Sequence, residues 1–296
     1  MKKKKLFDGN FLFYVLMMLF PVAQFAIFYI GVNARSFLYA FQSIDALSGE
    51  VTWTIKSLTD AFEKMTEPTL MTTFGMSFLY FLLTYAIGTI LALLFSYFIY
   101  KKLPMGSFFK VMLFLPSILS AIVMVTIYQY FVETAIPEIS GGAIKALITN
   151  PDTRFWAIIF YNILVGFGTS VLMYSNAMSG LSNDVIEAAK IDGCNAWQEF
   201  IHIVLPGIYP TITTFAITSV ASIFTSQMNL FSFYGVTAPE SVQTYGYYLY
   251  SLTISAGINE SEYPYICAVG LLLTLIAVPM TLIAKQLLEK LGPSED

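Results

Sequence analysis

Two apolar stretches of the chain carry side chains that could bind an uncharged, hydroxylated molecule. These side chains are Asn162 and Thr169 in residues 155–183, and Ser219, Ser222 and Ser226 in residues 200–239. Asn162 can donate and accept hydrogen bonds at once, as the neighbouring hydroxyls of a sugar require. Small hydroxyl residues also allow helices to pack closely in a membrane, so the serines fit a packing role equally well.

Other chemistries have less support in the sequence. No Asp, Glu, Lys or Arg lies in the apolar stretches, whereas proton-coupled and ion-coupled carriers usually need such a group there. The chain has no Walker A, H-E-x-x-H or G-x-S-x-G motif. Its only histidine is His202, and its two cysteines, Cys194 and Cys267, have no metal-site spacing. We therefore expect no catalytic residue, no metal site and no cofactor on this chain.

The elements that would position the polar residues follow from the composition. The chain is 57% hydrophobic and 11% charged, whereas about a quarter of a soluble protein is charged. Six apolar stretches are free of charge, at residues 9–34, 68–100, 111–132, 155–183, 200–239 and 263–284. Each exceeds the roughly 20 residues that a helix needs to cross a membrane. The sequence predicts an all-α polytopic membrane protein with six transmembrane helices.

The first span is predicted at residues 11–31. Lys2 to Lys5 followed by an apolar run resembles a signal peptide, but 21 apolar residues are typical of an uncleaved helix. A further charge-free segment, residues 241–258, is rich in Tyr, Ser, Thr and Gly, and we expect it to be interfacial or extracellular.

The Lys and Arg residues predict the orientation. With the amino terminus inside, ten of them are cytoplasmic and five external, and the acids divide eight to eleven. This excess favours an N-in, C-in topology. The expected order is a cytoplasmic terminus (1–10), an external loop (32–70) with a short amphipathic helix from Lys56 to Met65, a membrane domain (71–286) and a cytoplasmic tail (287–296). The net charge of −4 gives no indication of nucleic-acid binding.

The largest cytoplasmic loop is predicted at residues 181–207, between spans four and five, and we call it the coupling loop. Asp184 and Glu187 have the spacing of a helix-starting capping box, and Asn195 and Gln198 can start a second helix. Gly193 can take the left-handed conformation that ends the first helix. We therefore expect two short helices joined at Gly193 before Pro206.

This loop resembles the EAA loop of ABC-importer permeases. Glu187, Ala188 and Ala189 are followed at the family's spacing by Gly193 and by the I-x-L-P of residues 203–206. Asp192-Gly193 and Trp197-x-x-Phe200 resemble the carbohydrate, maltose-type branch. The resemblance implies that the loop inserts into a cytoplasmic ATPase. The residues implied in this coupling are Glu187, Ala188, Ala189, Asp192, Gly193, Leu205 and Pro206.

The resemblance also implies partners and a location. A second permease, expected to differ from this chain, would complete the pathway, and two ATPase copies would supply ATP and Mg chemistry. An external solute-binding protein would deliver the saccharide. The chain would lie among lipids in the bacterial cytoplasmic membrane.

The same comparison assigns a tentative substrate pathway. Asn162 and Gly166 match the family's Asn-x-x-x-Gly in span four, and Thr169 falls where the family places a substrate-contacting aromatic residue. In span five the corresponding positions are Ser219, Ser222, Ile223 and Ser226. The small side chains at these positions favour a different or bulkier saccharide than maltose.

Three alternatives remain open at this point. A secondary carrier or channel for a neutral solute would explain six spans but not the EAA pattern. An ABC permease for a non-sugar substrate would explain both. A membrane-embedded enzyme would need a catalytic set that the sequence lacks.

Overall fold

The computed structural model describes residues 9–257 and 259–293. The chain divides into two compact units. One comprises the chain up to Met65 together with Ala256–Leu272, and the other comprises Thr66–Ser255 together with the segment from Leu273 onwards. Most of the predicted cytoplasmic terminus 1–10, including its four lysines, lies outside the described residues, as does the end of the 287–296 tail.

The first unit begins with a long apolar helix. It consists of α1 (Gly9–Gln24), a π-helical segment (Phe25–Gly31) and α2 (Val32–Tyr39). From Phe11 to Tyr39 it is long and apolar enough to cross a membrane, and its most apolar stretch lies on the surface of the structure. The helix therefore extends eight residues beyond the predicted span 11–31.

A β-hairpin follows, which the expectation of an all-α chain missed. Strands β1 (Gln42–Ile44) and β2 (Val51–Trp53) are antiparallel, with Ser43 opposite Thr52. In the turn, the Asp45 carboxylate accepts hydrogen bonds from the backbone N–H groups of Ser48 (2.7 Å) and Leu47 (2.9 Å). These bonds stabilise the charged form and lower the pKa of Asp45.

The short helix predicted from Lys56 to Met65 is confirmed as α3 (Lys56–Met65). Its buried residues, Ser57 and Ala61, are four apart and so lie on one face. The Ser57 hydroxyl donates a hydrogen bond to the Gln42 carbonyl at 2.8 Å, which fixes the helix to the hairpin.

The second unit is built around two long helices. Helix α4 (Pro68–Tyr100) starts with proline at its first turn, where no N–H is needed. Between it and the next long helix come α5 (Gly106–Ile118), α6 (Ala121–Tyr130), a π-helical turn (Phe131–Ala135) and α7 (Ile136–Ile139). Helix α8 (Pro151–Ser179) is capped by Asn150, whose side chain accepts from the Asp152 N–H.

The stretch 111–132, predicted as one span, is broken. The helix axis turns by 105° between Gly106–Ile118 and Ala121–Ile139. Leu119 and Ser120 have extended backbone angles at the break. Pro116 lies inside α5, three residues before this break.

The coupling loop and the next apolar stretch also consist of short elements. They are α9 (Asn183–Ile191), α10 (Ala196–Glu199), a π-helical turn (Phe200–Val204), α11 (Leu205–Gly207), α12 (Tyr209–Ala221) and α13 (Leu230–Tyr234). The axis bends by 66° between Gly207 and Tyr209. This bend lies at the predicted end of the coupling loop, where the fifth span was expected to begin.

A second interruption separates α12 from α13. Met228 and Asn229 have positive φ angles of 49° and 57°, so the helix cannot continue through them. Gly235, with a φ of 61°, follows the end of α13. The segment 222–229 consequently exposes backbone groups that a helix would satisfy internally.

The chain ends with two more helices. Helix α14 (Tyr245–Ala256) lies in the segment expected to be interfacial, and its 12 residues would extend only about 18 Å. After a 3₁₀ turn (Glu260–Glu262), α15 (Tyr263–Leu291) is long enough to span. Among the described residues, four helices could cross a membrane, or six if each bent pair counts as one span.

Three apolar clusters hold the second unit together. One contains Tyr80, Ile158 and Leu230, a second contains Val171, Tyr174 and Val204, and a third contains Val125, Tyr161 and Phe233. Every cluster includes residues of α8, so this helix is the central element of the unit.

Candidate functional site

A polar cavity of about 260 Å³ lies between α4, α8 and α12 in the second unit. Its lining residues are Ser77, Phe81, Thr84, Tyr85, Gly88, Thr89, Asn162, Ile163, Gly166, Phe167, Ser170, Tyr174, Phe215, Ser219, Ser222, Ile223, Ser226, Met228 and Thr244. None of these lining residues carries a charge, and hydroxyl and aromatic side chains predominate. The cavity therefore offers hydrogen bonds and ring faces without a fixed charge.

Six of the seven pathway residues predicted from the sequence line this cavity. They are Asn162, Gly166, Ser219, Ser222, Ile223 and Ser226. Thr169 does not line it, and its side chain is exposed on α8. Helical spacing explains the difference, because Ser170 follows Gly166 by four residues and shares its face, whereas Thr169 is rotated away.

The cavity wall formed by α4 was not predicted from the sequence. Ser77, Phe81, Thr84, Tyr85, Gly88 and Thr89 all belong to it. Their separations of four, seven, eight, eleven and twelve residues from Ser77 place them on one face of a helix. Hydroxyl groups repeated at that spacing in an otherwise apolar span were the signal that could have identified this wall.

Asn162 is already hydrogen-bonded within the protein. Its Nδ2 donates to the carbonyl oxygens of Ile158 (2.9 Å) and Met228 (3.0 Å), and its Oδ1 accepts from Asn229 Nδ2 (2.8 Å). Both amide hydrogens are thus used, and the Oδ1 atom keeps one lone pair. Asn162 therefore fixes the end of segment 222–229 next to the cavity.

The same segment is held from its other side. The Thr244 hydroxyl donates to the Ser226 carbonyl at 2.9 Å. Gly246 approaches that carbonyl so closely that a Cβ atom would lie 2.4 Å from the oxygen. Ser77 Oγ, on α4, accepts from the Tyr245 N–H at 2.8 Å. Neighbouring elements therefore stabilise the non-helical backbone of segment 222–229.

Aromatic rings form part of the cavity wall. Phe81 and Tyr85 are stacked with centroids 5.7 Å apart, and Tyr174 and Phe215 meet edge to face at 5.2 Å. Such contacts orient the rings and limit their motion. Pre-oriented rings beside hydroxyl groups suit the C–H faces and hydroxyls of a sugar.

The first helix of the coupling loop starts two residues earlier than predicted. Ser182 is its N-cap and accepts from the Asp184 N–H at 3.3 Å, so the expectation that Asp184 starts the helix is wrong. Serine is among the best N-cap residues, and it precedes Asp184 by two positions. Ile186 and Ala189 are buried, whereas Glu187 and Ala188 are exposed. One narrow face of α9 is thus available to another molecule.

The turn after α9 matches the prediction. Gly193 has a φ of 79°, and the Cys194 N–H donates to the Ala189 carbonyl at 3.0 Å. The adjacent Asp192 is the C-cap residue. The second predicted helix start is also confirmed, since Asn195 and Gln198 form a reciprocal capping box with bonds of 2.9 and 3.0 Å.

The end of the loop packs into the membrane part of the unit. Phe200 and Val204 are buried in the cluster that contains Tyr174, and Leu205 packs against that cluster. Pro206 lies within α11 and directly precedes the 66° bend. The exposed Trp197 contacts Phe200 within the loop, with ring centroids 5.8 Å apart.

Two membrane-length helices, α4 and α8, border an uncharged polar cavity in a unit that also presents an exposed pair of short helices. This arrangement defines the class of protein as a membrane permease. The chain belongs to the family of binding-protein-dependent transport system inner membrane components, which matches residues 84–294. It is accordingly a multi-pass protein of the bacterial plasma membrane.

Individual proteins show the same likeness. The arabinooligosaccharides transport system permease protein AraP of Bacillus subtilis is 24% identical over 90% of this chain and 85% of its own length. The probable starch degradation products transport system permease protein AmyD of Thermoanaerobacterium thermosulfurigenes is 26% identical over 38% of this chain, and the match spans 40% of AmyD. The crystal structure of a bacterial ABC transporter that imports the acidic polysaccharide alginate contains a chain of the same fold, with a TM-score of 0.75, 17% identity and coverage of 95% and 96%.

Proposed function

We propose that the chain is the transmembrane permease subunit of an ATP-driven, binding-protein-dependent importer whose substrate is a neutral sugar or oligosaccharide. The observation that carries this proposal is the uncharged cavity between α4, α8 and α12, lined by hydroxyl groups and aromatic rings in a member of this family. The names of AraP and AmyD, which concern saccharides, support the same substrate class.

The topology proposed for this function has six spans with both termini in the cytoplasm. The bent pair over residues 106–139 would count as one span, the fifth span would begin with α12 after the coupling loop, and the coupling loop 181–207 would face the cytoplasm. The excess of Lys and Arg on that side supports the orientation. Residues 32–70 would be external, and residues 71–286 would form the membrane domain of the permease.

In this proposal the partner ATPase subunits hydrolyse ATP and hold its Mg, and the chain itself carries no cofactor. The exposed Glu187 and Ala188 would contact an ATPase cleft, while the buried Ala189 packs inwards. Asp192 and Gly193 would hold the turn, and Leu205 and Pro206 would connect the loop to α12. Glu187 can also stabilise its own helix near the N-terminus.

The cavity would form one half of the pathway. We propose a second, different permease as the other half, two ATPase copies and an external solute-binding protein. Gly166, Ser219, Ser222, Ile223 and Ser226 would face the saccharide, and Asn162 would offer its remaining lone pair. The contact proposed for Thr169 stays a prediction.

A secondary carrier or channel for a neutral solute fits the cavity but has no use for the coupling loop. A permease for a non-sugar substrate fits the loop but makes less use of the rings. A polycation or an anion would be expected to meet opposite charges, and none lines the cavity.

Copurification tests the proposal directly. The tagged chain should copurify with a second permease and an ABC ATPase, and the complex in liposomes should hydrolyse ATP faster when its binding protein carries a saccharide. Uptake of labelled neutral oligosaccharides should depend on ATP. A matched complex with an ATPase lacking its Walker A lysine is the control. Uptake driven by an ion gradient without an ATPase would contradict the proposal.

A further inference from the structure

We propose that Lys101 and Glu199 are positioning residues that lock the coupling loop to α4, so that α4 carries movements of the loop to the cavity wall. The proposal rests on the proposed function, because it concerns how ATP hydrolysis is coupled to transport. The two residues are 98 positions apart in the sequence and meet where α4 ends and α10 ends.

The ion pair is close and largely removed from solvent. Lys101 Nζ lies 2.8 Å from both carboxylate oxygens of Glu199. The Glu199 side chain is 3% exposed and that of Lys101 25%. Removing either partner would leave the other charge buried without compensation. The loss of folding free energy would be far larger than for an exposed ion pair.

Tyr97 adds contacts to the same short helix. Its hydroxyl donates to the Ala196 carbonyl at 2.9 Å, and its ring lies 4.9 Å from that of Phe200. Lys101 Nζ is also 5.7 Å from the centre of the Tyr97 ring, within the range of a cation–π contact. One turn of α4 therefore holds both ends of α10.

Helix α4 provides the unbroken connection from this contact to the cavity. It runs from Pro68 to Tyr100 without an internal proline, and its other half carries Ser77, Phe81 and Thr84 in the cavity wall. The covalent route from the loop into α12 instead passes through the 66° bend after Gly207. A displacement of α10 would thus reach the cavity through α4.

The test uses the complete complex in liposomes, with its ATPases and loaded binding protein. Glu199→Gln and Lys101→Met should each lower the stimulation of ATP hydrolysis by the loaded binding protein about tenfold. The saccharide transported per ATP should fall, while ATPase copurification and basal hydrolysis are retained. The exchanged pair Lys101→Glu with Glu199→Lys should recover at least part of the stimulation.

Lys285→Met is the matched control, because Lys285 forms only an exposed ion pair, with Glu289 at 3.7 Å. The complex that carries this substitution should transport normally. A purely structural role would reduce the amount of complex without changing the ratio of saccharide to ATP. If neither single variant yields complex, the Tyr97→Phe variant is measured instead, because it removes only one hydrogen bond. A lowered ratio of saccharide transported to ATP hydrolysed would then support the proposal.

Wild-type stimulation and wild-type ratios in Glu199→Gln, or in Tyr97→Phe where that variant decides, would overturn the proposal. Its failure is distinguishable from failure of the proposed function. If the unmodified complex is not stimulated by any loaded binding protein, the proposed function fails. If the unmodified complex and the variants are stimulated equally, only the role of this ion pair is refuted.

Discussion

At the scale of single residues, Asn162 combines a structural role with a place in the cavity wall. Its residue type and position predicted a binding role, and it does line the cavity. Its bonds to Met228 and Asn229 could not be predicted, because those residues lie more than 60 positions away and meet it only in the folded chain. Local sequence thus predicted the location of Asn162 but not its partners.

The Asn162→Leu substitution keeps the volume and removes three hydrogen bonds. Each unpaired polar group left behind costs about 1–3 kcal/mol where it is buried. We expect transport to fall at least about tenfold while the complex still assembles with normal basal ATP hydrolysis. Ser222→Ala should have a smaller effect, because its hydroxyl donates one bond, to the Ser219 carbonyl, worth roughly 0.5–1.5 kcal/mol net.

The control for this substitution lies on the same helix. Asn176 is exposed on α8 outside the cavity lining, so Asn176→Leu should transport normally. Wild-type saccharide uptake by both Asn162→Leu and Ser222→Ala would mean that these residues serve packing alone.

Gly168 shows a constraint of a different kind. A Cβ atom at this position of α8 would lie 1.8 Å from the Leu113 carbonyl oxygen of α5. Gly168→Ala must therefore displace backbone, and we expect it to lower the thermal unfolding midpoint in detergent by an amount corresponding to about 1–3 kcal/mol. At Gly75 of α4 no atom lies within 4 Å of such a Cβ, so Gly75→Ala should be neutral or stabilising. If Gly168→Ala unfolded at the same temperature as the unmodified protein, that result would contradict the close packing of α5 against α8.

At the scale of elements, apolar length predicted where helices exist but not where they break. The long helices α4, α8 and α15 were expected because each stretch is charge-free. The break over 222–229 depends on Asn162, Thr244 and Gly246, which come from other elements. A local pattern cannot encode such support, so this break was beyond prediction.

The orientation of the helices is testable by labelling. After Cys194→Ser and Cys267→Ser, single cysteines at Met105, Lys190 and Asp60 would report on three connecting segments. Because Lys and Arg concentrate in cytoplasmic segments, an impermeant thiol reagent should modify the first two only in inverted vesicles and the third only in intact cells. The chain without cysteines provides the background. Labelling at position 190 in intact cells would overturn the N-in, C-in topology.

At the scale of the whole molecule, the charges and the cavity are separated. The residues lining the cavity are uncharged, whereas the ion pairs Lys101–Glu199 and Lys285–Glu289 lie at or beyond the cytoplasmic ends proposed for α4 and α15. Charge is therefore used where the coupling loop is held, and hydrogen bonding where a solute would be held. This division was visible in the sequence as charge-free spans between charged loops.

The division predicts a preference between neutral and acidic saccharides. A uronate entering the cavity would lose hydration around its carboxylate and find no opposite charge, which costs several kcal/mol. Since about 1.4 kcal/mol corresponds to a factor of ten, a neutral oligosaccharide should be transported at least about a hundredfold faster than a uronate of equal length.

Transport at saturating loaded binding protein measures this preference separately from binding to that protein. The fold shared with an alginate importer does not oppose the prediction, since at 17% identity the cavity residues are free to differ. Ser219→Arg places a positive charge in the cavity wall and should shift the preference towards the uronate, whereas Ser219→Gln, which is polar but neutral, should not. If the unmodified complex carried both saccharides equally fast, the charge of the cavity wall would not be what selects the substrate.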